Sequence, residues 1–209
     1  LTIAGINYPG HTEMLADWCN TDNFLMVFLS EKMKSALVTI HLPVKNIAKE
    51  ITLLKLTSSF EIIINTLQND FLIPNPKVAI LGLNPHAGED GVIGKEEGEI
   101  IIPAINSSKF KNHLFGPFSP DAFFGRHRYK DFDLVLGMYH DQVLIPFKML
   151  NSGKGVNYTA GLPIVRTSPD HGVAFDIAGK FTADESSILE AFYSAERIVN
   201  NRKLNAETK

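Results

Sequence analysis

Three short apolar runs, each ending at a histidine, constrain the fold of this chain more than any other feature. The runs span residues 35–41, 77–86 and 132–140. They are long enough for buried strands and lack the polar alternation of a half-exposed strand, which is typical of a parallel sheet covered on both faces. Because ligands bind beyond the carboxyl ends of such strands, His41, His86 and His140 are predicted to converge at one edge of the sheet.

Amphipathic helices are predicted between and after the strands. One helix runs from Ser58 to about Phe71 and carries the apolar stripe Phe60, Ile63, Ile64 and Leu67. The last helix, from about Asp184 to Arg202, carries the stripe Ile188, Ala191, Phe192, Ala195 and Ile198. Further strands are predicted at 24–29, 156–160 and 162–167, and turns at 116–120. This alternation predicts an α/β fold with three α/β/α layers and a mostly parallel sheet.

Composition and charge exclude several classes of protein. The chain of 209 residues is 44% hydrophobic, and 20 basic and 23 acidic residues give a formal net charge of -3, which offers no footprint for nucleic acid or an anionic membrane. Cys19 is the only cysteine, and no apolar stretch approaches the roughly 20 residues that span a bilayer. We expect a cytoplasmic protein that binds neither nucleic acid nor membranes. Since Leu1 is no initiator Met and no signal-peptide pattern follows, we also expect the numbering to begin inside a longer protein.

The three histidines are candidate ligands of a divalent metal. Neutral imidazoles bind such ions well, and three protein ligands leave coordination positions open for a substrate, as catalytic sites require. The alternative is that each histidine only forms a hydrogen bond near a strand end, since no short motif such as H-E-x-x-H is present. Asp141, beside His140, is an acceptor for the ring N–H of a metal-bound histidine, a general base or a helix N-cap.

Two further groups of residues suit ligand binding. His11, Thr12, Lys148, Asn157 and Arg166 offer cationic, hydroxyl and amide donors suited to a phosphate, although each taken alone is an ordinary exposed polar residue. The segment 169–180 (PDHGVAFDIAGK) has glycines and small residues that let a backbone approach a ligand closely. It contains no G-x-G-x-x-G motif after a strand, so the usual dinucleotide fingerprint is absent.

Five motifs together resemble the 4-hydroxythreonine-4-phosphate dehydrogenase family of pyridoxal phosphate biosynthesis. They are PGHTE at 9–13, HLP at 41–43, GLNPHAGE at 82–89, YHDQ at 139–142 and RTSPDHG at 166–172. They occur in order from one end of the chain to the other. Three positions depart from the pattern of many relatives: Asp90 and Val92 stand where Gly and His are frequent, and Val143 replaces a frequent Gly.

The resemblance implies specific roles for the candidate residues. The implied metal ligands are His41, His86 and His140, which hold zinc, cobalt, manganese or magnesium in a site shared across a homodimer interface. The implied substrate-binding residues are His11, Thr12, Lys148, Asn157 and Arg166, and the implied catalytic residues are Asp141, as proton acceptor, and Lys148. Residues 171–179 also resemble the cofactor loop of isocitrate and isopropylmalate dehydrogenases. This likeness implies that fold, and binding of NAD or NADP by His171, Gly172 and Asp176.

The resemblance also implies a domain organisation and a reaction. Residues 1–168 form a metal- and substrate-binding dimerisation lobe, and residues 169–209 a cofactor-facing loop and a helix that packs on an N-terminal lobe absent from this sequence. The reaction is NAD-dependent oxidation of 4-phosphohydroxy-L-threonine followed by decarboxylation to 3-amino-1-hydroxyacetone 1-phosphate. Two alternatives remain: a related dehydrogenase of a threonate or erythronate phosphate, and an inactive metal-binding dimerisation fragment.

Overall fold

The computed structural model describes residues 5, 8, 10–151, 154–170, 179–180 and 182–207. The α-helices in this part of the chain are α1 (His11–Trp18), α2 (Ile47–Glu50), α3 (Leu53–Asn69), α4 (Ile102–Ser107), α5 (Pro120–Gly125), α6 (His140–Asn151) and α7 (Ser186–Glu207). The strands are β1 (Leu25–Leu29), β2 (Lys34–Leu37), β3 (Val78–Leu81), β4 (Leu114–Phe118), β5 (Leu134–Gly137), β6 (Val156–Ala160) and β7 (Thr167–Pro169). A π-helical turn, Glu97–Ile101, leads directly into α4.

The strands form one sheet in the order β4-β3-β5-β2-β1-β6-β7. Strands β4, β3, β5 and β2 pair in parallel with their neighbours. Strand β1 pairs antiparallel with β2 and β6, and β6 pairs antiparallel with β7. Five of the seven strands therefore point the same way, with β1 and β7 opposing them, so the predicted α/β class with a mostly parallel sheet is confirmed.

Helices cover both faces of the sheet. Strand β1 shows the division: Leu25, Val27 and Leu29 pack with α3, α4 and α7, whereas Met26 and Phe28 pack with α5 and α6. All five residues of this strand are buried, as expected where both faces of a sheet are covered. The two apolar clusters make the three α/β/α layers that the sequence predicts.

Helix α3 starts five residues before its predicted start. The Thr52 side chain caps it by accepting a hydrogen bond from the backbone N–H of Lys55 at 3.2 Å. Its buried face consists of Leu56, Phe60, Ile63, Ile64 and Leu67, each 0% exposed. Since full burial of such a side chain contributes about 1.5–3 kcal/mol, this face anchors the helix to the sheet.

Two strand predictions are wrong in detail. Strand β4 occupies much of the stretch predicted as turns, and Pro117 is tolerated because β4 lies at the edge of the sheet, where one side of a strand needs no donor. The strand predicted at 162–167 lies further along, at Thr167–Pro169, where its backbone pairs with β6.

Helix α7 is present as predicted, but its buried face differs from the predicted stripe. Ala191 and Ile198 are buried with Ser187 and Ser194, whereas Phe192 is 62% exposed. The small side chains on the buried face bring the helix close to β7, which leaves the larger ones outside. Packing of residues 169–209 on a further lobe stays a prediction.

Although α7 has 22 residues, neither it nor another described helix combines the length and apolar character that crossing a bilayer requires.

Candidate active site

A cavity of about 330 Å³ lies against the α6 face of strands β1 and β6, beside the start of α1. All five residues predicted to bind substrate line it: His11, Thr12, Lys148, Asn157 and Arg166. Two of the three predicted metal ligands, His41 and His140, line it as well. The fold therefore gathers seven predicted site residues, from separate parts of the chain, around one cavity.

Both cavity histidines have a carboxylate beside one ring nitrogen. Nδ1 of His41 lies 3.4 Å from Oε1 of Glu13, and Nδ1 of His140 lies 2.7 Å from Oδ1 of Asp141. Metal-binding histidines usually donate the second ring N–H to such an acceptor, which fixes the ring and directs Nε2 toward the ion. This donor set fits a divalent metal. Asp141 thus lies beside a predicted metal ligand, and its role as proton acceptor stays a prediction.

His86 is absent from the lining of this cavity and lies in the loop after β3. Residues 86–90 all have positive φ, between 43° and 81°. A left-handed conformation costs a non-glycine residue roughly 1–2 kcal/mol, so surrounding contacts must hold this loop.

Asp121 is close enough to His86 for the two charges to interact. Ser119 donates a hydrogen bond to Asp121 at 2.5 Å; mainly this bond, with the charge of His86 contributing, holds the pKa of the Asp121 carboxyl below its usual range.

Glu97 is the buried contact that holds this loop. Its carboxylate is 3% exposed and accepts hydrogen bonds from Asn84, from the backbone N at 2.7 Å and from Nδ2 at 2.9 Å. A Cβ atom on Gly88 would lie 2.6 Å from Oε2 of Glu97, so the loop passes the carboxylate where only glycine fits. Within the described residues, no three His, Cys, Asp or Glu side chains come together as a metal site. One chain thus brings together His41 and His140 without His86.

The two cationic side chains that line the cavity, Arg166 and Lys148, form few hydrogen bonds with the described residues. Arg166 donates one long hydrogen bond, 3.4 Å, to Oγ1 of Thr159. Burial lowers the pKa of the Arg166 guanidinium, and the charge of Glu13 partly opposes that change. Lys148, on the last turn of α6, forms no hydrogen bond or ion pair within the described part of the chain. Both groups keep donors available for an anionic ligand.

Glu13 also lines the cavity, and no role is predicted for it from the sequence. It lies in the first turn of α1, and its Oε2 atom is buried without a hydrogen-bond partner among the described residues. The only signal in the sequence is its place in the PGHTE motif, where an acidic residue also suits the dipole of a helix N-terminus. Asn157 has a second buried acceptor without a partner, Oδ1. The predicted cofactor residues His171, Gly172 and Asp176 lie outside the described residues.

Residues 1–195 match the family model described as "Pyridoxal phosphate biosynthetic protein PdxA". The chain belongs to the PdxA family. Curated 4-hydroxythreonine-4-phosphate dehydrogenases from Prosthecochloris aestuarii and Bacteroides thetaiotaomicron are 45% and 47% identical to it over 201 and 199 residues. These alignments cover 95% and 94% of this chain, and 60% and 55% of the relatives. The chain thus spans little more than half the length of these PdxA relatives.

Solved structures agree with this placement in the PdxA family. The crystal structure of 4-hydroxythreonine-4-phosphate dehydrogenase from Klebsiella pneumoniae superposes with a TM-score of 0.82 at 38% identity, over 94% of this chain and 60% of that one. A terephthalate 1,2-cis-dihydrodiol dehydrogenase from Burkholderia xenovorans, with a TM-score of 0.73 and 24% identity, shares the fold. The family that the motifs predict is therefore confirmed.

Proposed function

We propose that this chain carries the metal- and substrate-binding part of a 4-hydroxythreonine-4-phosphate dehydrogenase that acts in pyridoxal 5'-phosphate biosynthesis in the cytoplasm. The substrate is 4-phosphohydroxy-L-threonine, and the product is 3-amino-1-hydroxyacetone 1-phosphate. One observation carries the proposal: in a member of the PdxA family, a single cavity brings two candidate metal ligands next to a set of phosphate-binding donors.

The substrate phosphate binds to the cations and hydroxyl of the cavity. Lys148 supplies a point charge, and Arg166 supplies guanidinium N–H groups that form only one long hydrogen bond within the described structure. Thr12 supplies a buried hydroxyl at the start of α1. His11, also on the first turn of α1, adds a ring nitrogen. Binding the phosphate away from the reacting carbon uses its binding energy to orient the C3 hydroxyl.

The oxidation and the decarboxylation need a group that stabilises negative charge on the C3 oxygen. His41 and His140, with carboxylates at Nδ1, would hold a divalent ion that supplies this stabilisation as a Lewis acid. In the first step the C3 hydrogen leaves as hydride to NAD or NADP and the hydroxyl proton goes to a base, for which Asp141 is the candidate. In the second step the bond between C2 and the carboxylate breaks, carbon dioxide leaves, and C2 takes up a proton.

A second copy of this chain completes the metal site in this proposal. His86 lies outside the cavity that His41 and His140 line, so the third ligand comes from a partner chain. Mixing two inactive variants, His86→Ala and His140→Ala, tests the shared site. Half of the dimers in an equal mixture then contain one intact site of two, so about a quarter of the wild-type metal sites return. An unchanged, metal-free mixture would contradict a shared site.

The activity test is metal-dependent reduction of NAD. Chelator-treated protein mixed with 4-phosphohydroxy-L-threonine and NAD should form no NADH and should regain the activity with zinc, cobalt, manganese or magnesium. His41→Ala should abolish the recovery, whereas the exposed control His127→Asn should not, because His127 lies in a left-handed turn that Asn tolerates.

Two other results would replace the proposal. Faster turnover of a threonate or erythronate phosphate than of the amino substrate would assign the chain to a related dehydrogenase of phosphorylated hydroxy acids. Metal uptake and dimerisation without any binding of NAD would assign it to a non-catalytic dimerisation fragment. Each result is read from the same purified protein, by kinetics on the substrate panel and by direct titration with NAD.

A further inference from the structure

Some hydrogen-bond donors and some acceptors that line the cavity have no partner among the described residues. The donors belong to the side chains of Lys148 and Arg166, which form only one long hydrogen bond with the described residues. The acceptors are Oε2 of Glu13 and Oδ1 of Asn157, both buried without a partner in the described structure. A phosphate uses the donors and leaves the acceptors unsatisfied. The cavity is therefore complementary to a ligand that also carries a donor of its own.

The unpaired carboxylate oxygen of Glu13 is the more informative acceptor. Leaving a buried charged acceptor without a donor costs several times more than leaving a neutral one, so such an atom is expected where a ligand supplies the missing hydrogen bond. The other carboxylate oxygen, Oε1, is occupied by Nδ1 of His41 at 3.4 Å. Arg166 is close enough for the charge of Glu13 to act on it, but the two groups form no ion pair.

We propose that Glu13 binds the α-ammonium group of the substrate and makes this cavity selective for a phosphorylated amino acid over the matching hydroxy acid. This inference rests on the proposed function and specifies one residue of the same site. An ammonium group has a positive charge and three N–H donors, enough for Glu13 and Asn157 together. A hydroxyl in its place offers one donor and no charge, so it cannot give Oε2 of Glu13 a charge-assisted hydrogen bond and also satisfy Asn157.

The competing role for Glu13 is purely to orient His41. Both roles use the same carboxylate, through different oxygen atoms, and they differ in what they predict for ligands. A residue that only orients His41 affects the amino ligand and the hydroxy ligand equally. A residue that binds the ammonium group affects the amino ligand alone.

The test is a comparison of two ligands on two proteins by isothermal titration calorimetry. The ligands are 4-phosphohydroxy-L-threonine and its analogue with a hydroxyl in place of the amino group, and the proteins are the wild-type chain and Glu13→Gln. Titrations are run with magnesium and repeated in chelator, which removes any effect transmitted through a metal at His41. Glu13→Gln should weaken the amino ligand by about 10- to 100-fold, the loss expected for a charge-assisted hydrogen bond, and change the hydroxy analogue by less than about threefold.

Two further variants keep the result interpretable. Glu13→Asp retains the charge and should keep part of the preference for the amino ligand. Glu61→Gln removes a carboxylate paired with Lys109 outside the cavity and should leave both affinities unchanged. An equal loss for both ligands, or no loss for either, overturns the role of Glu13. If the wild-type chain binds neither ligand in either buffer, the proposed function itself fails and this role fails with it.

Discussion

Replacing Arg202 by Met tests a buried polar network on the reverse side of the strand that carries Asn157. Arg202 donates to Asp70 from Nε at 2.7 Å and from Nη2 at 3.2 Å, and the Tyr158 hydroxyl donates to the same carboxylate at 2.5 Å. Asp70 is 4% exposed and Tyr158 is 0% exposed. The network therefore joins the end of α3 to β6 and to the last turns of α7, with the Asp70 carboxylate buried and the Arg202 side chain 27% exposed.

The magnitude follows from what the substitution leaves behind. Met fills part of the volume of Arg202, but the Asp70 carboxylate keeps only the hydrogen bond from Tyr158 and loses its counter-charge. Removing one partner of a buried ion pair typically costs about 3–5 kcal/mol. That is a large share of the roughly 5–15 kcal/mol by which a domain is stable. With a denaturant slope near 2 kcal/mol per molar, the urea midpoint should fall by about 2 M.

Urea unfolding followed by far-UV circular dichroism measures this loss. The matched control is Arg128→Met, since Arg128 also pairs with an aspartate, Asp131, at 2.9 Å, but the two side chains are 46% and 59% exposed. Exposed pairs contribute about 0–1 kcal/mol, so the control should shift the midpoint little. If Arg202→Met lowers the free energy of unfolding no more than Arg128→Met does, the buried network does not stabilise the fold and the reasoning is wrong.

Three further predictions concern the pH dependence of stability, the loop that contains His86, and the residues proposed to bind phosphate. Burial, followed by the charge of Asp70, raises the pKa of the Tyr158 hydroxyl. The stability that the protonated phenol contributes is complete below its unfolded pKa, near 10, and is lost as the pH rises above that value. Between pH 9 and 11 the free energy of unfolding of the wild-type chain should therefore fall more steeply than that of Tyr158→Phe, by up to about 1.4 kcal/mol per pH unit. Gly88→Ala, at φ +81° and against a buried carboxylate, should weaken zinc binding in calorimetry at least about tenfold, whereas Gly98→Ala, which meets open space, should not. Lys148→Met should weaken binding of 4-phosphohydroxy-L-threonine about 10- to 100-fold, and an equal loss in Lys55→Met would contradict a specific phosphate contact.

The sequence predicts most strands because the residues of each strand show by themselves that the strand is buried. Strands β1, β2, β3 and β5 follow from short apolar runs, and β6 follows from its β-branched and aromatic residues; both signals can be read without knowledge of the neighbouring strands. The sequence does not indicate β4, because Gly116 and Pro117 are typical of turns and only the position of β4 at the sheet edge makes Pro117 acceptable. It also does not indicate the buried face of α7, because Ser187 and Ser194 are buried by a close approach to the sheet, which no hydropathy pattern reveals.

The site was predicted as far as strand ends and motifs allow. His41 and His140 reach one cavity because β2 and β5 are adjacent and parallel. The left-handed conformation around His86 was not predictable, because it depends on Glu97, a buried carboxylate on another element. The sequence does not indicate the role proposed for Glu13, because an acidic residue in the first turn of a helix is common without any ligand.

Strand β6 shows how the polar atoms of this fold separate structure from function. Its side chains alternate, so Tyr158 enters the network with Asp70 and Arg202, while Asn157 on the opposite face lines the cavity. Both carboxylate oxygens of Asp70 have donors, as expected for a network that only stabilises the fold. On the cavity side, Oδ1 of Asn157 and Oε2 of Glu13 have no donor among the described residues. Because a folded chain rarely leaves buried acceptors unsatisfied, this difference between the two sides of β6 supports the proposed ligand on the cavity side and favours a ligand that donates hydrogen bonds.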